Sequence, residues 1–403
     1  MKLKNKSKNR PKVHKAWIEA IVLALTATMN GMHADKVLQH LFKTNKKYGK
    51  NDRAFIADHF YDLLRNLRWV QTILSHNHVD ENNPARIVGA YFFLKYGIRD
   101  NSFDESFEIP SGVVFTPDQL LSYTKWFYDC LVEDYGEIRA KAIMQEMNHR
   151  AKIVLRINTL VCDMQMMREL LEKNGLDYDH CDDVPDALIL KEHANVFQWP
   201  EFKKGWFEVQ DLNSQRVGLI ANPVPGDFVV DACAGAGGKT LHLATLMKNK
   251  GMIVAMDVER KKLIELKKRA ARNQIHNLQI KFIEGKKTIK RLKHKSDLVL
   301  LDVPCTGSGV IKRNPDAKWK INKELLEQMV NLQSEILESY HIMTRPGGKL
   351  VYSTCSIFKK ENREQVDRFL AKHPEYQLEK DYVFLPDETG YDGFYVAVLK
   401  RKV

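Results

Sequence analysis

The sequence predicts an α/β protein: a doubly wound, mostly parallel sheet in the C-terminal half, preceded by a small α+β segment and an all-helical region. Three observations carry that reading. From residue 228 onward, short apolar runs ending in polar or small residues alternate with helix-spaced segments, the pattern of βα units. A glycine-rich turn, Ala232-Cys233-Ala234-Gly235-Ala236-Gly237-Gly238-Lys239-Thr240, follows the first of these runs. Before residue 148, apolar positions recur at helical spacing with few strand signals.

Composition bounds the rest. With 403 residues, 44% of them hydrophobic, the chain can bury a large core and should divide into two or three domains. The breaks in pattern place them at residues 1–148, 149–208 and 209–403. Lys and Arg number 63 against 51 acids, a net charge of +12, which favours an anionic macromolecular partner, nucleic acid above all. Cys130, Cys162, Cys181, Cys233, Cys305 and Cys355 are too far apart for C-x-x-C zinc spacing and resemble no disulfide framework, so a reducing cytoplasm is expected. A basic stretch, residues 1–15, precedes the apolar residues 21–27, but Glu19 interrupts it and the run is too short to span a bilayer. Neither export nor a membrane anchor is expected. Lys2, Lys4, Lys6, Lys8, Arg10, Lys12 and Lys15 read equally well as a solvated tail or as a phosphate-contacting arm.

In the helical region Ile18, Ile21, Val22 and Leu25 share one face, as do Phe55, Phe60, Leu63, Leu64 and Leu67. Gly31, Gly49, Pro84, Gly97 and Pro110 cut the region into a bundle of short helices. His14, His33, His40, His59, His76 and His78 form no ligand-spaced pair, so no metal is expected. Arg53, Arg65 and Arg68 are candidate phosphate contacts, with a plain solvated face as the alternative. Residues 153–157 then read as a strand, 164–173 as a helix ended by Gly175, and 187–190 as a strand, which together make the small α+β subdomain. A helix over 210–220 leads to Pro223 and Pro225.

The sheet begins at residues 228–231, and the turn after it resembles two phosphate-binding loops without matching either. A P-loop ending in Gly238-Lys239-Thr240 would need glycine where Cys233 stands, and a G-x-G-x-x-G loop from Gly235 would need glycine where Thr240 stands. The remaining common occupant is S-adenosylmethionine, whose ribose hydroxyls need a carboxylate after the second strand. Residues 253–257 supply that strand, ending in Asp257. Further strands are expected at 279–283, 297–301, 349–353 and 394–399, with helices over 260–273 and 323–343.

The fourth of these strands ends in Leu301-Asp302-Val303-Pro304-Cys305, so it delivers a carboxylate and a thiol to the edge where open α/β sheets place their chemistry. The fifth ends in Ser353-Thr354-Cys355-Ser356. Two strand-end thiols and one carboxylate suggest covalent chemistry.

In sequence order, Asp231-Ala232-Cys233-Ala234, Gly237-Gly238-Lys239-Thr240, Asp302-Val303-Pro304-Cys305, Arg313-Asn314-Pro315-Asp316 with Trp319, Thr354-Cys355-Ser356 and Asp392-Gly393-Phe394 resemble the motifs of the RsmB-like (Fmu/Sun) RNA cytosine-5 methyltransferases. Upstream, Gln210-Asp211, Arg156-Ile157-Asn158-Thr159 and Asp52-Arg53-Ala54-Phe55 fit the same family. The resemblance implies a Rossmann-like, seven-stranded class I methyltransferase domain behind an RRM-like subdomain and an all-α NusB-like domain. It implies S-adenosylmethionine as cofactor, 16S ribosomal RNA as partner, and a cytoplasmic, metal-free monomer. By the same resemblance Cys355 is the nucleophile, Cys305 the thiol that assists release, Asp302 the acid that binds the cytosine, and Lys239 the residue that helps position the cytosine and the cofactor. Ala232, Cys233, Ala234, Gly235, Gly237, Gly238, Lys239, Asp257, Arg260, Glu284, Gly285 and Asp302 would hold the cofactor. Two departures stand out. Gly235-Ala236 replaces the family's Ala-Pro, which implies a looser turn on the same path. Glu284-Gly285-Lys286 puts a lysine where the family places a carboxylate near the adenine. A transfer-RNA methyltransferase shares the same motifs, and a cofactor-weak RNA-binding assembly factor is the reading that Lys286 motivates.

Overall fold

The computed structural model describes residues 13–98 and 112–403; the basic tail up to Lys12 and Pro110 lie outside them. Contacts divide the chain into two units, Met1–Asn148 with Ile311–Asn322, and His149–Val310 with Lys323–Val403.

In the first unit the helix-spaced apolar residues become α1 (Lys15–Met29), α2 (Ala34–Thr44), α3 (Lys50–His76) and α4 (Pro84–Tyr96), then α5 (Pro117–Leu121), α6 (Lys125–Tyr135) and α7 (Glu137–Met147). The punctuation falls where expected: Gly31 lies between α1 and α2, Gly49 precedes α3, Pro84 opens α4, and Gly97 ends it in the left-handed conformation. The bundle is not made only of short helices. The apolar face of α3 continues past Leu67 through Val70, Ile73 and Leu74, so one 27-residue helix forms the axis of the core with Ile21, Leu25 and Phe92. Among the described residues no helix is long and apolar enough to cross a membrane.

The three arginines proposed as phosphate contacts are engaged inside this unit. Arg68 pairs with Asp118 at 2.6 Å, Arg53 donates to the Tyr48 carbonyl at 2.9 Å, and Arg65 donates to the Lys312 carbonyl at 3.1 Å. Lys312 belongs to a segment that the sequence pattern did not assign to this unit. Residues Ile311–Asn322 return to the helical core: Trp319 packs against it and donates to the Leu64 carbonyl at 3.0 Å. Lys318 is fully buried, donating to the Arg65 carbonyl at 2.7 Å and to Asn148 Oδ1 at 3.1 Å, 4.3 Å from the centre of the Tyr123 ring. Burial pulls its ammonium well below the usual lysine range.

The second unit carries two sheets. The smaller is antiparallel, in the order β2 (Tyr178–Asp179), β3 (Ala187–Leu190), β1 (Val154–Ile157), β4 (Phe207–Val209), with α8 (Met164–Lys173) and α9 (Pro200–Lys203). The larger has seven strands: β5 (Phe228–Asp231), β6 (Met252–Asp257), β7 (Leu278–Phe282), β8 (Ser296–Asp302), β9 (Thr344–Thr354), β10 (Tyr376–Phe384) and β11 (Phe394–Arg401). Their order is β10-β11-β9-β8-β5-β6-β7, with β5 to β9 mutually parallel and β11 antiparallel to both neighbours. Helices α10 (Leu212–Ala221), α11 (Gly238–Leu246), α12 (Arg260–Arg272), α13 (Lys286–Lys290), α14 (Lys323–Tyr340), α15 (Arg363–Lys372) and α16 (Pro386–Thr389) connect or flank them.

Both faces of the sheet are covered, which is why its inner strands read as continuous apolar runs. Val230, Val254 and Val299 enter one core while Val229, Ile253 and Leu298 enter the other. Strand β10 had no counterpart in the sequence reading. It lies at the sheet edge, and Gln377, Glu379, Lys380 and Asp381 dilute its apolar pattern. The connection order reverses about β5, so the carboxyl ends of β5 and β8 flank the crevice where such sheets bind ligands.

Candidate active site

Each of the five parallel strands ends at or within two residues of one singled out from the sequence. Strand β5 runs into Ala232, Cys233 and Ala234, and the turn closes with Gly235 and Gly237 in left-handed conformations, φ +53° and +89°. At Gly237 a Cβ would lie 2.7 Å from Leu266 of α12, so only glycine allows the loop this close to the helix. A Cβ on Gly235 or Gly238 would meet nothing within 4 Å, so the space in front of the turn is open.

The turn is tied at several points. Asp257, at the end of β6, accepts the Gly235 amide through Oδ2 and the Glu259 amide through Oδ1, both at 2.8 Å. Arg269 donates to the Ala236 carbonyl and Arg156 to the Gly238 carbonyl, both at 2.9 Å. Thr240 Oγ1 donates to Asp231 Oδ2 at 2.6 Å. Burial pushes the Asp231 carboxyl up to about 7 and the Cys233 thiol well above its ordinary value. After β7, Glu284 and Arg260 are both exposed and pair at 3.5 Å, with Arg260 stacked 4.2 Å from the Phe282 ring centre. Gly285 and Lys286 help line a cavity of about 370 Å³ with Ile283, Ile289, Tyr340 and Ile342.

Strands β8 and β9 are register-matched, Asp302 opposite Ser353, so the residues following them run side by side. Lys239 of α11 donates to Asp302 Oδ2 at 2.7 Å, Ser353 Oγ donates to Oδ1 at 3.0 Å, and Lys239 Nζ lies 5.0 Å from the Phe394 ring centre. The sulfurs of Cys305 and Cys355 are 3.3 Å apart and both are free thiols. Contact with Cys355, then burial, hold the Cys305 thiol well above its ordinary value, with the Glu361 carboxylate acting in the same direction.

Glu361 and Gln333, which frame the two thiols with the hydroxyls of Thr306 and Ser356, were absent from the sequence reading, and the two hydroxyl residues were given no role in it. The available signal was that each cysteine is followed at once by a hydroxyl residue, Cys305-Thr306 and Cys355-Ser356. Of the remaining cysteines, Cys162 is a structural group: it donates to the Trp206 carbonyl at 3.2 Å, and burial pushes its thiol up to about 12. Among the described residues one trio, His341, His373 and Glu375, brings possible ligand atoms within 4.8 Å of one another. Both ring nitrogens of His373 already face carboxylates, Glu338 at 3.0 Å and Glu375 at 3.2 Å, an arrangement that hydrogen bonding explains.

The sequence profile of the 16S rRNA methyltransferases RsmB/F matches residues 218–400, and that of the RsmF/B-like, ferredoxin-like domain matches residues 123–197. Ribosomal RNA small subunit methyltransferase B of Pasteurella multocida is 35% identical over 296 residues, 69% of this chain and 65% of that protein. Its counterpart in Vibrio vulnificus is 35% identical over 290 residues, 70% of this chain and 67% of that protein. The matches thus span about two thirds of these relatives' length. Among solved structures, PH0851 superposes with a TM-score of 0.83 at 25% identity, covering 98% of this chain and 100% of that one. A methyltransferase homologue from Pyrococcus horikoshii gives 0.63 at 28% identity, covering 71% and 97%. With a profile match over the seven-stranded sheet and relatives of this identity, the chain belongs to the RsmB/F family of 16S rRNA methyltransferases.

Proposed function

We propose that this protein methylates C5 of a cytosine in RNA, with small-subunit ribosomal RNA as the substrate and S-adenosylmethionine as the methyl donor, through a bond between Cys355 and C6 of the base. The carrying observation is the pair of thiols 3.3 Å apart at the ends of neighbouring parallel strands, on the edge that also presents Asp302. The names of the bacterial relatives favour ribosomal RNA.

The residues present fit the cofactor. The turn leaves open space in front of Gly235 and Gly238, and each Asp257 oxygen, after accepting one amide, keeps a lone pair for a ribose hydroxyl. When bound, the cofactor supplies an electrophilic sulfonium methyl. The protein's part follows from the chemistry of cytosine, whose C5 is too poor a nucleophile to take that methyl unaided. Addition of the Cys355 thiolate to C6 makes C5 electron-rich. Asp302, held by Lys239 and Ser353, accepts from the cytosine amino group and, as the carboxylic acid, donates to N3 as negative charge develops there. Once C5 is methylated, loss of its proton and cleavage of the bond to sulfur regenerate the aromatic ring and free Cys355. Either sulfur can donate in the contact between them; the raised Cys305 thiol suits the donor role, and with that assignment Cys355 is the attacking atom.

The test is a denaturing gel of each variant incubated with RNA and S-adenosylmethionine. Cys355→Ala should give neither methyl transfer nor an adduct, Cys305→Ala should accumulate a protease-sensitive protein–RNA adduct, and the double variant should give none. An adduct with Cys355→Ala and none with Cys305→Ala reverses the roles; no adduct with either overturns the covalent reading.

A further inference from the structure

The loop after Cys355 carries a carboxylate that the reaction above does not use. Glu361 is fully buried, yet no lysine, arginine or histidine among the described residues pairs with it. An ion in that position survives only if hydrogen-bond donors replace its hydration. They do, and they come from both thiol loops. Oε1 accepts the Thr306 amide at 2.8 Å and Gln333 Nε2 at 2.9 Å; Oε2 accepts Thr306 Oγ1 at 2.6 Å and Ser356 Oγ. Thr306 follows Cys305 and Ser356 follows Cys355, so the two oxygens bind the neighbours of both sulfurs. Gln333 of α14 also donates to the carbonyl of Pro304, the residue before Cys305, at 2.9 Å. The backbone of Glu361 is fixed as well, its carbonyl accepting Tyr352 Oη at 2.6 Å. Backbone pairing of β8 with β9 stops short of this point, and the loops meet again where Gly309 N donates to the Cys355 carbonyl at 2.9 Å and the Ser308 and Ser356 hydroxyls lie 2.9 Å apart.

We propose that Glu361 is a positioning residue that sets the separation of the two thiols, its two oxygens accepting four hydrogen bonds as a clamp between loops that no sheet pairing holds at that point. This rests on the reading of Cys305 and Cys355 as the working pair, but the clamp itself can be read without RNA or cofactor. Length and acceptor geometry are what it needs. Glutamine keeps one oxygen for the Thr306 amide and Gln333, and its NH2 can donate to the Thr306 and Ser356 hydroxyls, which are free to rotate. Aspartate keeps the charge but is one methylene short of spanning both loops.

The experiment oxidises the full-length protein with diamide and follows formation of the Cys305–Cys355 disulfide by mass spectrometry, alongside methyl-transfer kinetics. Glu361→Ala should slow disulfide formation about tenfold and lower kcat about 100-fold, the scale of a misplacement near 1 Å, with KM for S-adenosylmethionine little changed. Glu361→Gln should restore both, and Glu361→Asp neither. A wild-type rate of disulfide formation in Glu361→Ala, or rescue by Asp and not by Gln, overturns the proposal. If Glu361→Ala does not fold, the comparison of Gln with Asp decides alone. If wild-type protein forms the disulfide while Cys305→Ala accumulates no RNA adduct, the proposed reaction is refuted and the clamp is left intact.

Discussion

Lys239 Nζ lies 2.7 Å from Asp302 Oδ2, joining the first turn of α11 to the end of β8 by an ion pair whose lysine side chain is only 9% exposed. Removing one partner of such a pair strands the other's charge. Asp302→Ala should therefore cost about 3 kcal/mol of stability, while Asp302→Ala with Lys239→Met should recover most of it, and neither should transfer methyl. Urea midpoints and initial rates check this. An unchanged midpoint in the single variant would show that the pair contributes nothing.

Asp257 is expected to serve the turn and the cofactor together. Because it accepts the Gly235 and Glu259 amides, Asp257→Ala removes the ribose acceptors and also loosens the glycine turn. Calorimetric titration should show S-adenosylmethionine binding weakened at least about 100-fold, as expected for loss of two charge-assisted hydrogen bonds. Binding within a few-fold of wild type would move the ribose elsewhere.

Lys286 opens α13 and lines the cavity beside Gly285 and Tyr340. Lys286→Asp restores a carboxylate at a helix N-terminus, where negative charge is favoured. Cofactor binding should tighten by up to about 1.5–3 kcal/mol through one charge-assisted hydrogen bond. The same titration, showing no gain, would mean that another group already contacts the adenine.

Asp231 makes stability depend on pH. Unfolded, its carboxyl titrates near the ordinary value of about 4; folded, burial pushes it up to about 7. Between those values the folded state binds more protons, so stability falls as pH rises through that window and stays lower above it. Asp231→Asn should abolish this contribution while keeping an acceptor for Thr240. The difference between variant and wild type should change by at most about 1.4 kcal/mol per pH unit, in the variant's favour as pH rises. Parallel urea titrations from pH 5 to 8 would show equal dependence if the carboxyl is ionised throughout.

Strand ends and motif cysteines were legible in the sequence because the inner strands are apolar on both faces and their termini carry the punctuation. Asp257, Asp302, Cys305 and Cys355 could be placed on one edge without coordinates. Glu361 could not. In Lys359-Lys360-Glu361-Asn362 it reads as one charge in a solvated turn, and only the approach of a second loop, from residues some fifty positions earlier, buries it. Lys318 escaped for the same reason: a lysine's burial is decided by long-range partners, here the Arg65 carbonyl and Asn148, which leave no periodic trace. Strand β10 escaped because an edge strand needs fewer apolar residues than the pattern requires.

The return of Ile311–Asn322 to the helical unit bears on how the chain is made. Translation runs from the N-terminus at about 5–20 residues per second, and domains often fold as they emerge. Here the bundle that is synthesised first waits for Trp319 and Lys318, which are added only after β5 to β8 have been made. The first unit therefore cannot complete its core until most of the second has been synthesised, and a fragment cut at residue 148 lacks part of its own core.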